Sequence, residues 1–537
     1  MSKTTTFNIL IFMLLCTVNG FAQSYEPTRQ SLSNYEVPEW YKDAKIGLFY
    51  HWGPGSVPGL HFNKDVLAFC RQKGVYKDSG TAKRNPPGQW GANMYPKPGL
   101  PDNEQNSNYL LHKRFFGDPK EFGYKELIPL LTGAKFDPKK IVNLVEQAGI
   151  KYIVPMAVHH DGFAMWDSKV IDEFNAMKMG PKRNTTKEII DEARLRGMKV
   201  GVSTHVARHS WYYSKTPGYD VSDPRYVQLY GEGSKNGLPT PEAIQKWEDT
   251  MEELVDTFHP DYIFVDGGTA DIYTNEKSYV MNDAFRRIVS NYYNTSLEAG
   301  VEPVLTFKRE SLWKEEAVPD YEGGFLSDIA PYTWQTHFNN VGWFYRPGQN
   351  ANPSHINFRK MIDAISKNGN VLLNIALRPD GSIQEEEVQF YKDLGAWTSM
   401  VGEGIYGSRP WLVYGEFTNA LKPKILTSNF RGKVYEDPEA VPMGAIKLNK
   451  ADIRYTRSKD NKSVYATILA WPKEPVTLTS FSKDGVGKSL EIKNITLLGS
   501  DEIINWKHKE EGIVIKAPSK PVFSDQNWPV TFKLNIR

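Results

Sequence analysis

The chain has 537 residues, 40% hydrophobic and 24% charged, with 65 Lys and Arg against 63 Asp and Glu. That length predicts two or more domains, and the near-neutral balance gives no basic surface for nucleic acid. Aromatic residues make up 13%, with 14 Trp and 28 Tyr, which suits stacking on sugar rings and equally suits a large aromatic core.

Met1-Ser2-Lys3, the apolar run Phe7 to Cys16 and the small-residue site Gly20-Phe21-Ala22 have the parts of a secretory signal peptide, its apolar run too short to span a membrane. Cleavage is expected near Ala22, giving an exported protein, periplasmic or secreted. Large residues precede Cys16, which argues against a lipid anchor. Only Cys70 then remains, so no internal disulfide is expected and the core must hold the fold. No later stretch is long and apolar enough for a transmembrane helix, so no membrane insertion is expected.

From about Trp40 one unit repeats: a capped amphipathic helix, then a short apolar strand ending in polar residues. Lys45 to Tyr50 exits into His51-Trp52-Gly53, and a long Gly/Pro-rich insertion follows over roughly 59 to 124. Loops of that length are functional or disordered. Asp137-Pro138 opens a helix with a cap and a first-turn proline, Gly149 closes it, and the strand Tyr152 to Val158 exits into His159-His160-Asp161-Gly162. A helix over Lys187 to Arg196 delivers the strand Lys199 to Val202, which exits at Ser203-Thr204-His205. A helix from Thr240-Pro241 delivers Asp261 to Val265, ending in Asp266-Gly267-Gly268. Further strands are predicted at Pro303 to Phe307, exiting at Lys308-Arg309, and at Asn370 to Ala376.

Alternating strand and helix implies a parallel sheet with right-handed crossovers. Polar exits on five or six strands favour a closed barrel over an open sheet, whose site sits at one switch point. After about Trp411 short alternating runs replace the helical period, as in Ser463 to Leu469 and Gly512 to Ile515. The expected class is α/β, a (β/α)8-like TIM-type barrel with a C-terminal antiparallel β-sandwich. Its expected divisions are 1–22 signal peptide, 23–411 catalytic barrel and 412–537 sandwich, with the boundary in the Gly407 to Tyr414 region.

Asp266, a carboxylate at a strand exit, is a candidate catalytic group, and the plain alternative is a helix cap or turn residue. His159-His160-Asp161 is the densest polar cluster, and both histidines reach one ligand only where the strand breaks into loop. No HExxH or cysteine pair supports a metal, and His205 and His209 share helical spacing without a helix signal, so no metal and no cofactor are expected. Histidines bonded to substrate hydroxyls are the functional alternative to satisfied core histidines. Glycoside hydrolysis needs a second carboxyl, with candidates Glu302, Glu310, Glu315, Glu316, Asp320 and Glu322. Glu315-Glu316 reads as a solvated face, and Glu322, followed by Gly323-Gly324, is favoured.

Ala44 to Gly53, His159-His160-Asp161-Gly162-Phe163 with Trp166-Asp167-Ser168, Gly180-Pro181-Lys182-Arg183, Asn370 to Asn374 with Pro379-Asp380-Gly381, and Gly402 to Gly407 together resemble the α-L-fucosidases of glycoside hydrolase family 29. The resemblance runs from about Trp40 to Trp411, and the sandwich resembles that family's second domain. It implies an exo-acting retaining enzyme that releases terminal α-L-fucose through a covalent glycosyl-enzyme, acting on fucosylated oligosaccharides or glycoconjugates. Asp266 matches the nucleophile and Glu322 the usual place of the acid/base. His51, His159 and His160 match fucose ligands, and Trp90 matches a pocket aromatic; Trp52, His205 and Trp334 complete the expected substrate contacts. The Tyr332-Thr333-Trp334-Gln335-Thr336 motif resembles the branch preferring α-1,3/1,4-linked fucose. Val158, Gln89 and Ser203-Thr204-His205 depart from common family residues. Three other readings are open: an exo-hydrolase of a related sugar such as α-L-galactose, a non-catalytic glycan-binding protein, and a metal-dependent hydrolase that loss of activity in chelator would reveal.

Overall fold

A computed structural model describes residues 24–61, 94–101, 105, 107–235, 238–267, 279–308, 311–346, 351–417, 440–442 and 448–537. The expected signal peptide and Trp90 lie outside the described residues. Eight parallel strands close into a barrel: β1 Ile46–His51, β2 Tyr152–Val158, β3 Lys199–Thr204, β4 Tyr262–Val265, β5 Val304–Lys308, β6 Val318–Glu322, β7 Trp334–Asn339 and β8 Gly369–Ala376. Each strand pairs with its sequence neighbour, and β8 closes on β1.

The helices that cover the barrel form for local reasons. In α1, Pro138–Gln147, Asp137 caps the first turn by accepting from the Lys140 N–H, and Pro138 takes a position that needs no donor. Helix α2, Thr185–Leu195, is capped by Asn184, and α3, Pro241–Phe258, by Thr240. Ile244, Trp247, Met251, Leu254, Val255 and Phe258 give α3 one buried apolar face. Helices α4, Tyr279–Glu298, α5, Ser354–Ser366, and α6, Glu385–Val401, complete the described crossovers. No α-helix occurs between β5 and β6 or between β6 and β7 among the described residues. The sequence reading omits β6 and β7 as strands.

Those two strands are polar because they fill the barrel interior with hydrogen bonds. Alternate residues of a strand point inward, and the inward set includes Phe49, Tyr152, Val154, Tyr262, Phe264, Val304, Val318 and Leu372. Near the amino-terminal end, Gln335 Oε1 accepts from Tyr41 at 2.8 Å, Tyr262 at 3.0 Å and Tyr152 at 3.4 Å. Its amide donates to Asp320 at 2.6 Å, and Asp320 receives His337 Nδ1 at 2.5 Å. Gly47 faces the Tyr152 ring so closely that an added Cβ would lie 2.0 Å from Cζ. A side chain there would displace the ring.

The C-terminal part is two antiparallel sheets, one of five strands beginning with β9, Arg409–Glu416, the other of three. It packs on α5 and α6. Arg359 donates to the carbonyls of Leu469 and Asn527, Trp397 to that of Pro529, and Arg454 pairs with buried Asp363 at 2.7 Å. A short strand, Ala440–Pro442, crosses back to pair with Gly324–Leu326 beside the barrel mouth.

Glu316, expected on a solvated face, is fully buried and paired with Arg286 at 2.7 Å. Both carboxylate oxygens are occupied there, since Oε2 accepts the Trp313 N–H at 2.7 Å.

Replacing Gln335 by Leu removes the acceptor shared by three phenol hydroxyls and one of the two donors to a buried carboxylate. The expected cost is on the order of 3 kcal/mol, read as a lower thermal denaturation midpoint with the chemistry of the folded fraction retained.

Candidate active site

The same inward alternation builds the carboxyl-terminal layer. Above Phe49 on β1 comes His51, above Phe264 on β4 comes Asp266, above Thr306 on β5 comes Lys308, and above Asp320 on β6 comes Glu322. Strand β2 ends at Val158 after a register shift, so His159 and His160 leave the strand geometry and face one space, ring centroids 4.6 Å apart. His205, one residue past β3, joins them, 4.3 Å from the ring of His159.

Asp266 is 15% exposed. Its Oδ2 accepts from His205 Nδ1 at 2.8 Å and faces His160 Nε2 at 3.2 Å, while Oδ1 is ion-paired with the Lys308 ammonium. Burial alone would push this carboxyl up. Lys308 first, then the two imidazoles, outweigh burial and hold it well below the usual carboxylate range. His205 is itself pushed down to about 4 by burial against the pull of Asp266, so at neutral pH it is an uncharged ring donating Nδ1–H. Lys308 sets an ammonium directly against Asp266.

Lys308 touches a second carboxylate. Its Nζ lies 3.0 Å from Glu322 Oε2, and Glu322 is half exposed at the mouth. The ammonium lowers the Glu322 carboxyl below its usual range; burial and Asp266 oppose it and His337 assists. For Lys308, burial favours the neutral amine, but Asp266 and Glu322 overrule it and raise its pKa.

His51 and His205 are set as acceptors. Asn374 gives its amide N–H groups to the carbonyls of Gly342 and Trp343, at 2.7 and 3.0 Å, so its Oδ1 accepts from His51 Nδ1 at 2.7 Å. With Nδ1 donating to Asn374, the remaining nitrogen of neutral His51 is an acceptor, and His159 Nε2 and His205 Nε2 are buried without a hydrogen-bond partner. Burial pushes His51 and His159 well down, keeping the rings neutral. One nitrogen from each of His51, His159 and His205 lies within 4.8 Å of the others. That spacing would admit a cation as well as hydroxyl groups, but Asp266, the nearest carboxylate, is already engaged by three nitrogen donors. Three neutral rings, two of them set as acceptors, match the hydroxyls of a polyol. Tyr212, Trp343 and Phe344 wall the space: Tyr212 lies 5.6 Å from His160, Phe344 4.9 Å from His159, and Trp343 5.5 Å from His51.

The structure thus brings together His51, His159, His160, His205, Asp266 and Glu322. Trp52 is not with them: it is fully buried, stacks on Phe136 at 4.7 Å and donates to the Arg378 carbonyl, because it points outward where His51 points in. Trp334 is also misplaced by the sequence reading. It is the first residue of β7, buried at the amino-terminal end and bonded to the Lys367 carbonyl, at the opposite end of the barrel from Glu322. His209 is structural, with Nε2 bonded to the Leu229 carbonyl at 2.8 Å. Lys308, Asn374, Tyr212, Trp343 and Phe344 were missed as site residues. Counting by two from Val304 would have found Lys308.

Rings held neutral take up fewer protons than they would unfolded between pH 6.5 and about 4, so stability rises with pH across that window. Thermal midpoints measured across it should climb, and the climb should be shallower in His205→Gln.

Residues 13–403 match the family described as Alpha-L-fucosidase, and residues 448–535 match the Alpha-L-fucosidase C-terminal domain. The tissue alpha-L-fucosidase of Rattus norvegicus is 26% identical over 541 residues, spanning 96% of this chain and 93% of that protein. The plasma alpha-L-fucosidase of Homo sapiens is 24% identical over 517 residues, spanning 93% and 89%. Among solved structures, the Thermotoga maritima alpha-fucosidase superposes with a TM-score of 0.67 at 22% identity, covering 95% of this chain and all of that one. A family 29 alpha-L-fucosidase of Bacteroides thetaiotaomicron, solved as a trapped covalent intermediate, gives 0.60 at 15% identity over 93% of this chain and 95% of its own. The chain belongs to the α-L-fucosidase family of glycoside hydrolases, family 29.

Proposed function

We propose that this enzyme releases terminal α-L-fucose with retention of configuration, Asp266 acting as nucleophile and Glu322 as acid and then base. The observation that supports it is that one ammonium nitrogen contacts both carboxylates. Two contacts to one nitrogen place the facing oxygens within roughly 6 Å of each other, nearer the spacing of retaining enzymes than that of inverting ones, which hold a water between the carboxyls. The covalent intermediate trapped in the Bacteroides enzyme supports the same route.

In the first step an Asp266 oxygen bonds to the anomeric carbon as the carbon–aglycone bond breaks, and the Glu322 proton passes to the departing oxygen. In the second, Glu322 removes a proton from water, the water oxygen bonds to the same carbon, and the Asp266 ester is released. The bare nitrogens of His51, His159 and His205 accept the sugar hydroxyls, and Tyr212, Trp343 and Phe344 supply apolar walls.

A preference for α-1,3/1,4 linkages is supported by the Tyr332 to Thr336 motif. Trp334 and Gln335 stand at the closed end of the barrel, so the motif marks a branch and does not touch the sugar. Export through residues 1–22 completes the reading; amino-terminal sequencing of the mature protein should begin near Gln23.

Asp266→Ala should lower kcat/KM by about 10⁴-fold or more. Glu322→Ala should cost about 10²- to 10⁴-fold on an oligosaccharide and far less on 4-nitrophenyl α-L-fucoside, whose leaving group needs no proton. Proton NMR of the first product should show the α anomer; the β anomer would overturn retention. A branched α-1,3/1,4-fucosylated oligosaccharide should be cut faster than an α-1,2-linked one.

A further inference from the structure

We propose that Lys308 is a positioning residue that keeps both carboxylates ionised in the empty site, and that an aglycone oxygen arriving at Glu322 displaces it, so the acid is protonated only when substrate is bound. The proposal rests on the roles assigned above to Asp266 and Glu322.

The geometry is specific. Lys308 ends β5 with its side chain 10% exposed, and its Nζ meets Asp266 Oδ1 and Glu322 Oε2 together. The Phe264 ring lies 5.6 Å from Nζ, over the floor of the site. The charged and titratable groups facing this trio are His160 past β2, His205 past β3, Asp320 beneath Glu322 on β6, and His337 on β7, with the stem of Arg208 against Gly267. Asp266 has two imidazoles besides the ammonium. Glu322 relies on Lys308 for its one ion pair among the described residues.

A general acid must carry a proton, and a carboxyl in contact with an ammonium prefers to lose it. The empty site therefore holds Glu322 in the wrong form for the first step. An acceptor oxygen of the aglycone placed against Glu322 Oε2 takes the position that Lys308 Nζ occupies, leaving the ammonium to Asp266 alone. Glu322 then gains a proton from solvent, in the half-exposed position where solvent reaches it. Once Asp266 is esterified its charge is gone, and the ammonium returns to Glu322, which must now be a carboxylate to act as base. One cation thus serves whichever carboxylate has to be charged.

The wild-type enzyme tests this first. With a fucosylated oligosaccharide, the alkaline limb of kcat, which reports the occupied site, should lie at higher pH than that of kcat/KM, which reports the free enzyme. Coincident limbs would overturn the proposal. In Lys308→Met, the alkaline limb of kcat/KM should move up by about one pH unit or more, and the acid limb should move in the same direction. Lys308→Arg should keep both limbs where the wild type has them. Limbs unmoved in a Lys308→Met protein whose thermal midpoint shows it folded would also overturn the proposal. Glu322→Gln separates the two levels: its alkaline limb should vanish. A limb that persists there refutes Glu322 as the acid, whereas a limb lost there but unmoved in Lys308→Met refutes only the role of Lys308.

Discussion

Closing eight parallel strands into a barrel forces every second side chain into a space without water, and the rest of the molecule follows from how that space is filled. At the amino-terminal end three tyrosines converge on the single carbonyl of Gln335, whose amide serves Asp320. In the middle Phe49 and Phe264 pack on each other and on His337. At the open end the inward positions are histidines, two carboxylates and a lysine. The floor is rigid because Gln335 ties three phenols and a carboxylate together, and rigidity below is what holds the groups above in place.

The same enclosure governs the electrostatics. Burial pushes the histidines towards neutrality and would do the same to Asp266. One ammonium reverses the outcome for the carboxylates while His51, His159 and His205 remain uncharged. A site so arranged can separate its two tasks, holding a neutral, hydroxylated ring with lone pairs and attacking it with an anion.

Much of this was legible in the sequence, and the gaps have physical causes. Strands β1 to β4, with β5 and β8, read as apolar runs because both their faces are buried in apolar packing. Strands β6 and β7 read as loop, since Asp320, Glu322, Gln335 and His337 are the inward residues and an interior hydrogen-bond network leaves no hydrophobic signature. With those strands unassigned, the position of Trp334 along its strand could not be counted, and an aromatic at the sealed end was taken for one at the mouth. Trp52 failed differently: neighbours on a strand face opposite sides, so placing His51 in the site already sends Trp52 out of it. Lys308 required only the period of two, but its apolar run was read as ending one residue early.

The strand Ala440–Pro442, paired with Gly324–Leu326, bears on how the enzyme is made. All eight barrel strands have left the ribosome once Ala376 has emerged, yet the edge just past Glu322 has no partner until residues 440–442 follow. Folding during synthesis proceeds from the amino terminus, so the barrel can close around its floor while the backbone beside Glu322 still presents an open edge. The last ladder beside Glu322 is supplied by late-made polypeptide, and a nascent chain halted before that point would carry Asp266 in place beside a Glu322 whose neighbouring backbone lacks that ladder.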